Sequence, residues 1–292
     1  MPALKGLNLA CGPVYIASES WINVDYHSVG PAVIACDLLK DLPFPPASFD
    51  LLYSSHFLEH LPRDVVLSFL YECRRVLKPG GVIRLVLPDC EELFSQFLSF
   101  RSRNLHAEAD FLLVTIIDQC VRQRAGGQLG DFYSRIDAMD PASRSYWTDF
   151  VAEYTGEFLD DQQSPGVLGA HSSRSRSLLP AALAGAFSRR SPQDLLRRIR
   201  FKIHQLGLSL LLPEFRRQNV SFAPIGERHC WLWDFHQLAA VLRSAGFVSV
   251  VRQSHLSSMV DHFPFYPLDA TMNGKPRMGR QSMYVEACVP DR

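Results

Sequence analysis

The stretch LKGLNLACGPVYIASESWINVDYH, residues 4–27, decides the fold of this chain. Two short apolar runs in it predict two β-strands, and the turn that joins them carries the small residues Ala10 and Gly12. In an open parallel sheet, ligands bind at the carboxyl ends of the strands, where such a turn lets backbone N–H groups approach them closely. Asp25 ends the second run and can accept hydrogen bonds from two ribose hydroxyls. The stretch therefore predicts a ligand site at one edge of a parallel sheet.

Strand and helix signals alternate from the amino terminus as far as Pro88, which is typical of an α/β domain. One helix ends at the sequence KPGG, residues 78–81, and another runs from the N-cap Asp234 to Gly246. The last two strands have no core of their own, so we expect them to complete the first sheet. The predicted strands are 6–10, 21–25, 32–37, 49–54, 82–87, 247–251 and 282–289.

The segment between these parts is far longer than an ordinary loop. We divide the chain into a core domain, 1–95 and 228–292, and a mostly helical, partly disordered insertion or lid, 96–227. Residues 160–177 have the composition of a mobile linker. Residues 193–212 predict a basic amphipathic helix, which either packs on the protein or makes a peripheral contact with an anionic membrane.

Composition excludes several classes of protein. Thirty basic side chains balance thirty acidic ones, so no nucleic-acid partner is expected. The seven cysteines are scattered and contain no CxxC pair, which indicates reduced thiols in a cytoplasmic protein. The amino terminus has no secretory leader, and no apolar run approaches the roughly 20 residues that cross a bilayer.

Further polar residues follow the third and fourth predicted strands. Asp37 comes after the third strand, and the sequence SSHFLEHL, residues 54–61, comes after the fourth. With the ordered motifs LNLACGP, INVD, RVLKPGGVIRLVLPD, LAAVLRSAGF and SMYVEAC, the chain resembles the class I S-adenosylmethionine-dependent methyltransferases, and among them small-molecule and glycan methyltransferases. The resemblance covers about residues 5–95 and 227–290.

The resemblance implies a Rossmann-like α/β fold, with a seven-stranded, mainly parallel sheet whose last strand is antiparallel. It also implies that S-adenosylmethionine lies across the ends of the first three strands. By position, Ala10 and Gly12 would lie beside its methionine portion and Asp25 would bind its ribose hydroxyls. The remaining positions are Asp37 and Leu38 at the adenine, and Ser54, Ser55 and His56 towards the methyl group.

Two features of the opening stretch depart from the common pattern. Ala10 stands where the resembling proteins usually have glycine, and its methyl group narrows the turn. The connection between Gly12 and Trp21 is too short for an ordinary helical crossover, so we expect a single helical turn there or none. The full G-x-G-x-x-G pattern of dinucleotide-binding proteins is also absent, which favours a cofactor without phosphates.

Methyl transfer to a hydroxyl requires an aligned acceptor and a group that removes its proton. His56 and His229 are the candidates for that catalytic base. Glu59 and His60 are adjacent, but two residues without a third ligand do not define coordination, so no metal site is predicted. Asp89 is interpreted as a helix cap.

The sequence thus predicts a cytoplasmic S-adenosylmethionine-dependent methyltransferase. The expected reaction is O-methylation of a sugar, a glycan precursor or a secondary metabolite, and the acceptor class follows from the resemblance, since a fold alone does not define a substrate. Two alternatives stay open at this point. One is a catalytically silent interaction module, which is consistent with alanine in place of glycine at Ala10. The other is an N- or C-methyltransferase that acts on another small molecule.

Overall fold

The computed structural model describes residues 4–28, 30–157 and 226–291, with a few single positions between 203 and 223. It contains one seven-stranded sheet with the strand order β3-β2-β1-β4-β5-β7-β6. Strand β7 runs antiparallel to both of its neighbours, and the other pairings are parallel. The strands are β1 Gly6–Leu9, β2 Trp21–Asp25, β3 Val33–Ala35, β4 Phe49–Ser55, β5 Leu77–Pro88, β6 Val248–Gln253 and β7 Ser282–Cys288.

The predicted fold class and all seven predicted strands are confirmed, with two changes of length. Strand β3 has only three residues. Strand β5 begins at Leu77 rather than at Val82, because Leu77 already pairs with Phe49 before the register shifts. Residues 10–20, all of which are described, form turns and no helix, so the short first crossover is confirmed as well.

Helices cover one face of the sheet and fill the start of the insertion. The first predicted helix and the one capped by Asp234, whose side chain accepts from the N–H of Gln237 at 2.7 Å, are both present. The helices are a 3₁₀ turn Leu58–His60, α1 Arg63–Val76, α2 Cys90–Ser102, α3 His106–Val121, α4 Gly127–Ile136, α5 Pro141–Thr155, α6 Phe235–Ser244 and the short α7 Phe265–Leu268.

Three apolar clusters make up the core. The largest lies between the sheet and helices α1 and α6, where alternate strand residues such as Leu7, Leu9 and Leu52 are fully buried. The opposite face of the sheet packs Tyr53 and Tyr284 against the segment that precedes β7. The third cluster holds α2 to α5 together.

Helices α2 to α5 occupy the first part of the predicted insertion, and the division of the chain into a core and an insertion or lid stays a prediction. Helix α2 runs through the predicted boundary at residue 95. The predicted linker 160–177 and residues 193–202 of the basic segment lie outside the described residues, as do positions 204–206, 208 and 209.

Backbone hydrogen bonds fix the chain where it returns from the insertion to the core. The N–H of His229 donates to Gln119 of α3, and the N–H of Cys230 donates to the Glu59 carbonyl at 2.7 Å. Trp233 then forms a parallel bridge with Asp89. This segment therefore lies directly beside the residues that follow β4.

Candidate active site

The turn after β1 and the acidic residue at the end of β2 are hydrogen-bonded to each other. The N–H of Gly12 donates to the Asp25 carboxylate at 2.8 Å, and the N–H of Cys11 donates to the Val24 carbonyl at 3.1 Å. Ala10 and Gly12 both have a φ of 53°, in the left-handed region that favours glycine. The turn is thus held at the carboxyl ends of two neighbouring parallel strands, as the opening stretch predicts.

This turn has room for a ligand. A Cβ atom built on Gly12 would meet no other atom within 4 Å, so the space above the residue is open. Asp25 is only partly buried and keeps lone pairs free beside the bond from Gly12. An open backbone turn beside a carboxylate suits the methionine portion and the ribose of S-adenosylmethionine.

The end of β3 lies next to the same edge. The N–H of Cys36 donates to the Asp25 carbonyl at 2.8 Å, which places the following residues near Asp25. The Asp37 carboxylate accepts from the N–H of Leu39 and lies 3.3 Å from Lys40. The Leu38 side chain is buried in the main core. The predicted adenine-binding role of Asp37 and Leu38 is untested by these contacts and stays a prediction.

The residues at the carboxyl end of β4 are Ser54, Ser55 and His56, and their side chains contact other parts of the protein or are buried. The Ser54 hydroxyl is buried and has no hydrogen-bond partner among the described residues. The Ser55 hydroxyl accepts a long hydrogen bond of 3.4 Å from Arg277. His56 has a φ of 50° and donates its backbone N–H to Val86, the neighbouring strand. The three residues thus lie at the sheet edge that also carries Gly12 and Asp25.

The imidazole of His56 is held between Ser282 and Glu59. The single hydroxyl proton of Ser282 is donated to the Met278 carbonyl, so Ser282 accepts from His56 Nε2 at 2.9 Å. Nδ1 of His56 therefore carries the lone pair, and it lies 3.4 Å from a carboxylate oxygen of Glu59. In this conformation neither ring nitrogen is free for an acceptor hydroxyl, and the proposed role of His56 as a base stays a prediction.

His229, the second predicted base, lies beside Glu59 and His60. The His60 and His229 ring centroids are 4.8 Å apart, and one ligand atom from each of Glu59, His60 and His229 lies within 4.8 Å of the others. The 3₁₀ turn orients Glu59 and His60, and the backbone bond from Cys230 to Glu59 brings in His229. The structure thus supplies a third potential ligand that the pair Glu59–His60 lacks in the sequence.

Burial sets the protonation of this group. It raises the pKa of the Glu59 carboxyl to about 8 and lowers the pKa of the His229 imidazole to about 3. It also lowers the pKa of His56 and of His60 below the usual value. At neutral pH the three imidazoles are therefore uncharged.

Some residues of this region have no signal in the sequence. Arg277 reaches Ser55 from the segment before β7 and stands in no recognisable motif, and Ser282, the first residue of β7, reaches His56 from the motif SMYVEAC, which gives no sign of this contact. A cavity of about 390 Å³ lies on the β5–β6 side of the sheet, lined in part by Asp89 and Arg252. Asp89 caps α2, as predicted, by accepting from the N–H of Glu91.

Comparison with known proteins finds similarity to methyltransferases in part of the chain. Residues 7–85 match the family model described as a methyltransferase domain. A probable methyltransferase of Aspergillus luteorubrus is 42% identical over 106 residues, which cover 26% of this chain and 37% of that protein. An uncharacterized methyltransferase of Synechocystis is 32% identical over 100 residues, covering 29% of this chain and 47% of that protein. The chain thus spans less than half the length of these relatives.

A similar solved structure is an S-adenosylmethionine-dependent methyltransferase from Thermotoga maritima, described as a possible histamine N-methyltransferase. It is 11% identical, with a TM-score of 0.37 over 99% of this chain and 84% of the other.

The sheet order and the antiparallel β7 define a Rossmann-like α/β fold, and the Gly12–Asp25 turn lies within residues 7–85, which match the methyltransferase-domain model. Residues 7–85 are thus similar to a methyltransferase domain, and the relatives that match part of this chain are named as methyltransferases. Among the described residues, no helix is both long enough and apolar enough to span a membrane.

Proposed function

We propose that this protein transfers a methyl group from S-adenosylmethionine to a hydroxyl oxygen of a sugar, a glycan precursor or a secondary metabolite. The observation that carries the proposal is the hydrogen bond of 2.8 Å between the Gly12 N–H and the Asp25 carboxylate. It joins the open turn after β1 to the acidic end of β2, which is the arrangement that a ribose-bearing cofactor requires.

Each part of the edge has a task in this proposal. Asp25 accepts the ribose hydroxyls, and the backbone of the turn at Ala10 and Gly12 lies along the methionine portion. When bound, the cofactor supplies a methyl group on a positively charged sulfur, which is already a strong electrophile. The side chains after β4, Ser54, Ser55 and His56, then orient the acceptor in line with that methyl group.

The free cysteines are consistent with the compartment that we propose, the cytoplasm. All seven are described, and none is in a disulfide. The acceptor class depends on the resemblance of the opening motifs to small-molecule and glycan methyltransferases, and its identification requires an activity screen.

The cofactor site can be tested without knowing the acceptor. Replacing Asp25 with alanine removes a charged acceptor, and hydrogen bonds to charged groups contribute about 1.5–3 kcal/mol, so affinity for S-adenosylmethionine should fall at least about tenfold. Calorimetric titration of folded Asp25→Ala measures this. Asp261→Ala, which changes an exposed aspartate, is the matched control and should bind as the wild type does. Unchanged affinity in Asp25→Ala would remove the residue from the site.

Turnover with a panel of hydroxyl, amine and carbon acceptors then decides the reaction. Methylation of a hydroxyl supports the proposal, and methylation of nitrogen or carbon alone contradicts it. Cofactor binding without turnover on any acceptor would favour a catalytically silent module.

A further inference from the structure

The cluster of Glu59, His60 and His229 combines two buried side chains that have unpaired polar atoms with one half-buried imidazole. Glu59 is 1% exposed, and neither carboxylate oxygen has a hydrogen-bond partner among the described residues. Nδ1 of His229 is also unpaired, in a side chain that is 4% exposed. Buried polar groups without partners are costly, so their presence requires an explanation.

The orientation of His60 matches that of a metal ligand. Its Nδ1 lies 2.9 Å from the Arg228 carbonyl and can only donate to it, so Nε2 carries the lone pair. Metal-binding histidines commonly donate their second ring N–H to a backbone carbonyl, which fixes both tautomer and ring orientation. The backbone that holds His229 in place thereby also orients His60.

The contact between His56 and Glu59 provides a second, independent indication. Nδ1 of His56 is a lone-pair acceptor, because its Nε2–H is donated to Ser282, yet it faces a Glu59 oxygen at 3.4 Å. Two acceptors at this distance need either a proton on one of them or a cation close to both. A proton on Glu59 would satisfy one oxygen and leave His229 unpaired, whereas a metal ion would engage both Glu59 and His229.

We propose that Glu59, His60 and His229 bind a divalent transition-metal ion of the Zn²⁺ type. Two imidazoles and one carboxylate are a ligand set that such ions accept, with positions left for water or a substrate oxygen. Metal–ligand distances of about 2.1 Å place ligand atoms about 3.0–3.4 Å apart. Since the three ligand atoms lie within 4.8 Å of one another, small side-chain rotations complete the site.

The ion would serve the reaction proposed above, and this part of the inference rests on that proposed function. The cluster directly follows β4, next to Ser55 and His56 at the sheet edge. An acceptor hydroxyl bound to the ion would lose its proton to solvent water more readily, because a divalent cation lowers the pKa of a bound oxygen. This would supply the activation that a base provides in other methyl transfers.

The test uses Co²⁺ as a spectroscopic substitute for Zn²⁺, added to chelator-treated, tag-free full-length protein without cofactor or acceptor. We expect one equivalent of Co²⁺ to bind per chain, with visible absorption bands typical of nitrogen and oxygen ligands and no thiolate charge-transfer band. Glu59→Gln and His229→Ala should each weaken binding at least tenfold, since even changes outside the ligand set cost about 10–100-fold. Circular dichroism checks that each variant is folded, and His60→Ala provides a third variant if one of them is not.

The controls separate this site from other binding. Glu153→Gln and His106→Ala change exposed residues of the same types and should bind Co²⁺ as the wild type does. Cys230→Ser tests the exposed thiol next to His229. S-Adenosylmethionine titration of the metal-free wild type reports on the proposed function alone. A failure of Co²⁺ binding can therefore be distinguished from a failure of cofactor binding. Absence of Co²⁺ binding to the folded wild type, binding that survives in Glu59→Gln and His229→Ala, or a thiolate band lost in Cys230→Ser would overturn the metal site.

Discussion

The buried guanidinium of Arg84 gives a sharp prediction about stability. Arg84, Asp269 and Glu286 are each fully buried, and Arg84 lies 2.7 Å from both carboxylates. It also donates to the carbonyls of Ser254 and Ser257. These bonds hold the segment before β7 against the face of the sheet. The same segment supplies Arg277 to the candidate site and leads directly into Ser282, so its position matters for the proposed function.

Replacing Arg84 with methionine keeps much of the side-chain volume and removes the charge. Two buried carboxylates then lose their cation, and breaking a buried ion pair in this way costs about 3–5 kcal/mol. We expect a loss of about that size in the free energy of unfolding at pH 8. Urea denaturation followed by circular dichroism measures it, and Arg243→Met, at an exposed position of α6, should change stability by no more than about 0.5 kcal/mol.

The pH dependence of this loss has a defined sign. Burial raises the pKa of the Asp269 carboxyl, and removal of Arg84 raises it further. A carboxyl with a raised pKa in the folded state favours folding at low pH, and this contribution is lost as the pH rises through the folded pKa. The deficit of Arg84→Met should therefore be largest at pH 8 and shrink towards pH 4. A deficit below about 1 kcal/mol at pH 8, or one that grows as the pH falls, would refute the reasoning.

Three further predictions concern the site and the insertion. Ala10→Gly should raise the urea midpoint of unfolding, because the left-handed conformation of Ala10 costs a non-glycine residue of order 1–3 kcal/mol. Glycine also adds entropy to the unfolded chain, which offsets about 0.4–1 kcal/mol of this gain. A lowered midpoint would contradict the presence of strain at Ala10. His56→Ala should reduce single-turnover methyl transfer by about 10²–10⁴-fold while affinity for S-adenosylmethionine stays within a few-fold; a near-wild-type rate would remove His56 from the chemistry. The basic segment 193–212 should carry the protein to acidic liposomes in a flotation assay at low salt, and neutral liposomes are the control; no flotation leaves only a packing role.

The sequence by itself determined the sheet and the elements around it. Strand runs, the Asp89 and Asp234 caps, the turn at Gly12 and the acidic end of β2 at Asp25 are local features. Their conformation depends on neighbouring residues, so periodicity and turn chemistry were enough to predict them. The one turn residue that departs from the expected pattern, Ala10, does adopt the conformation that glycine prefers.

Only the tertiary structure decided which distant side chains meet at the site. His56 pairs with Ser282, 226 residues away, and Arg84 finds its carboxylates 185 and 202 residues further along the chain. His229 joins Glu59 and His60 because backbone hydrogen bonds fix the chain where it leaves the insertion. Such contacts depend on the order of strands in the sheet and on the path of the connecting chain. No local pattern of residues encodes that path. The free energy that stabilises it comes from packing between elements that are far apart in sequence.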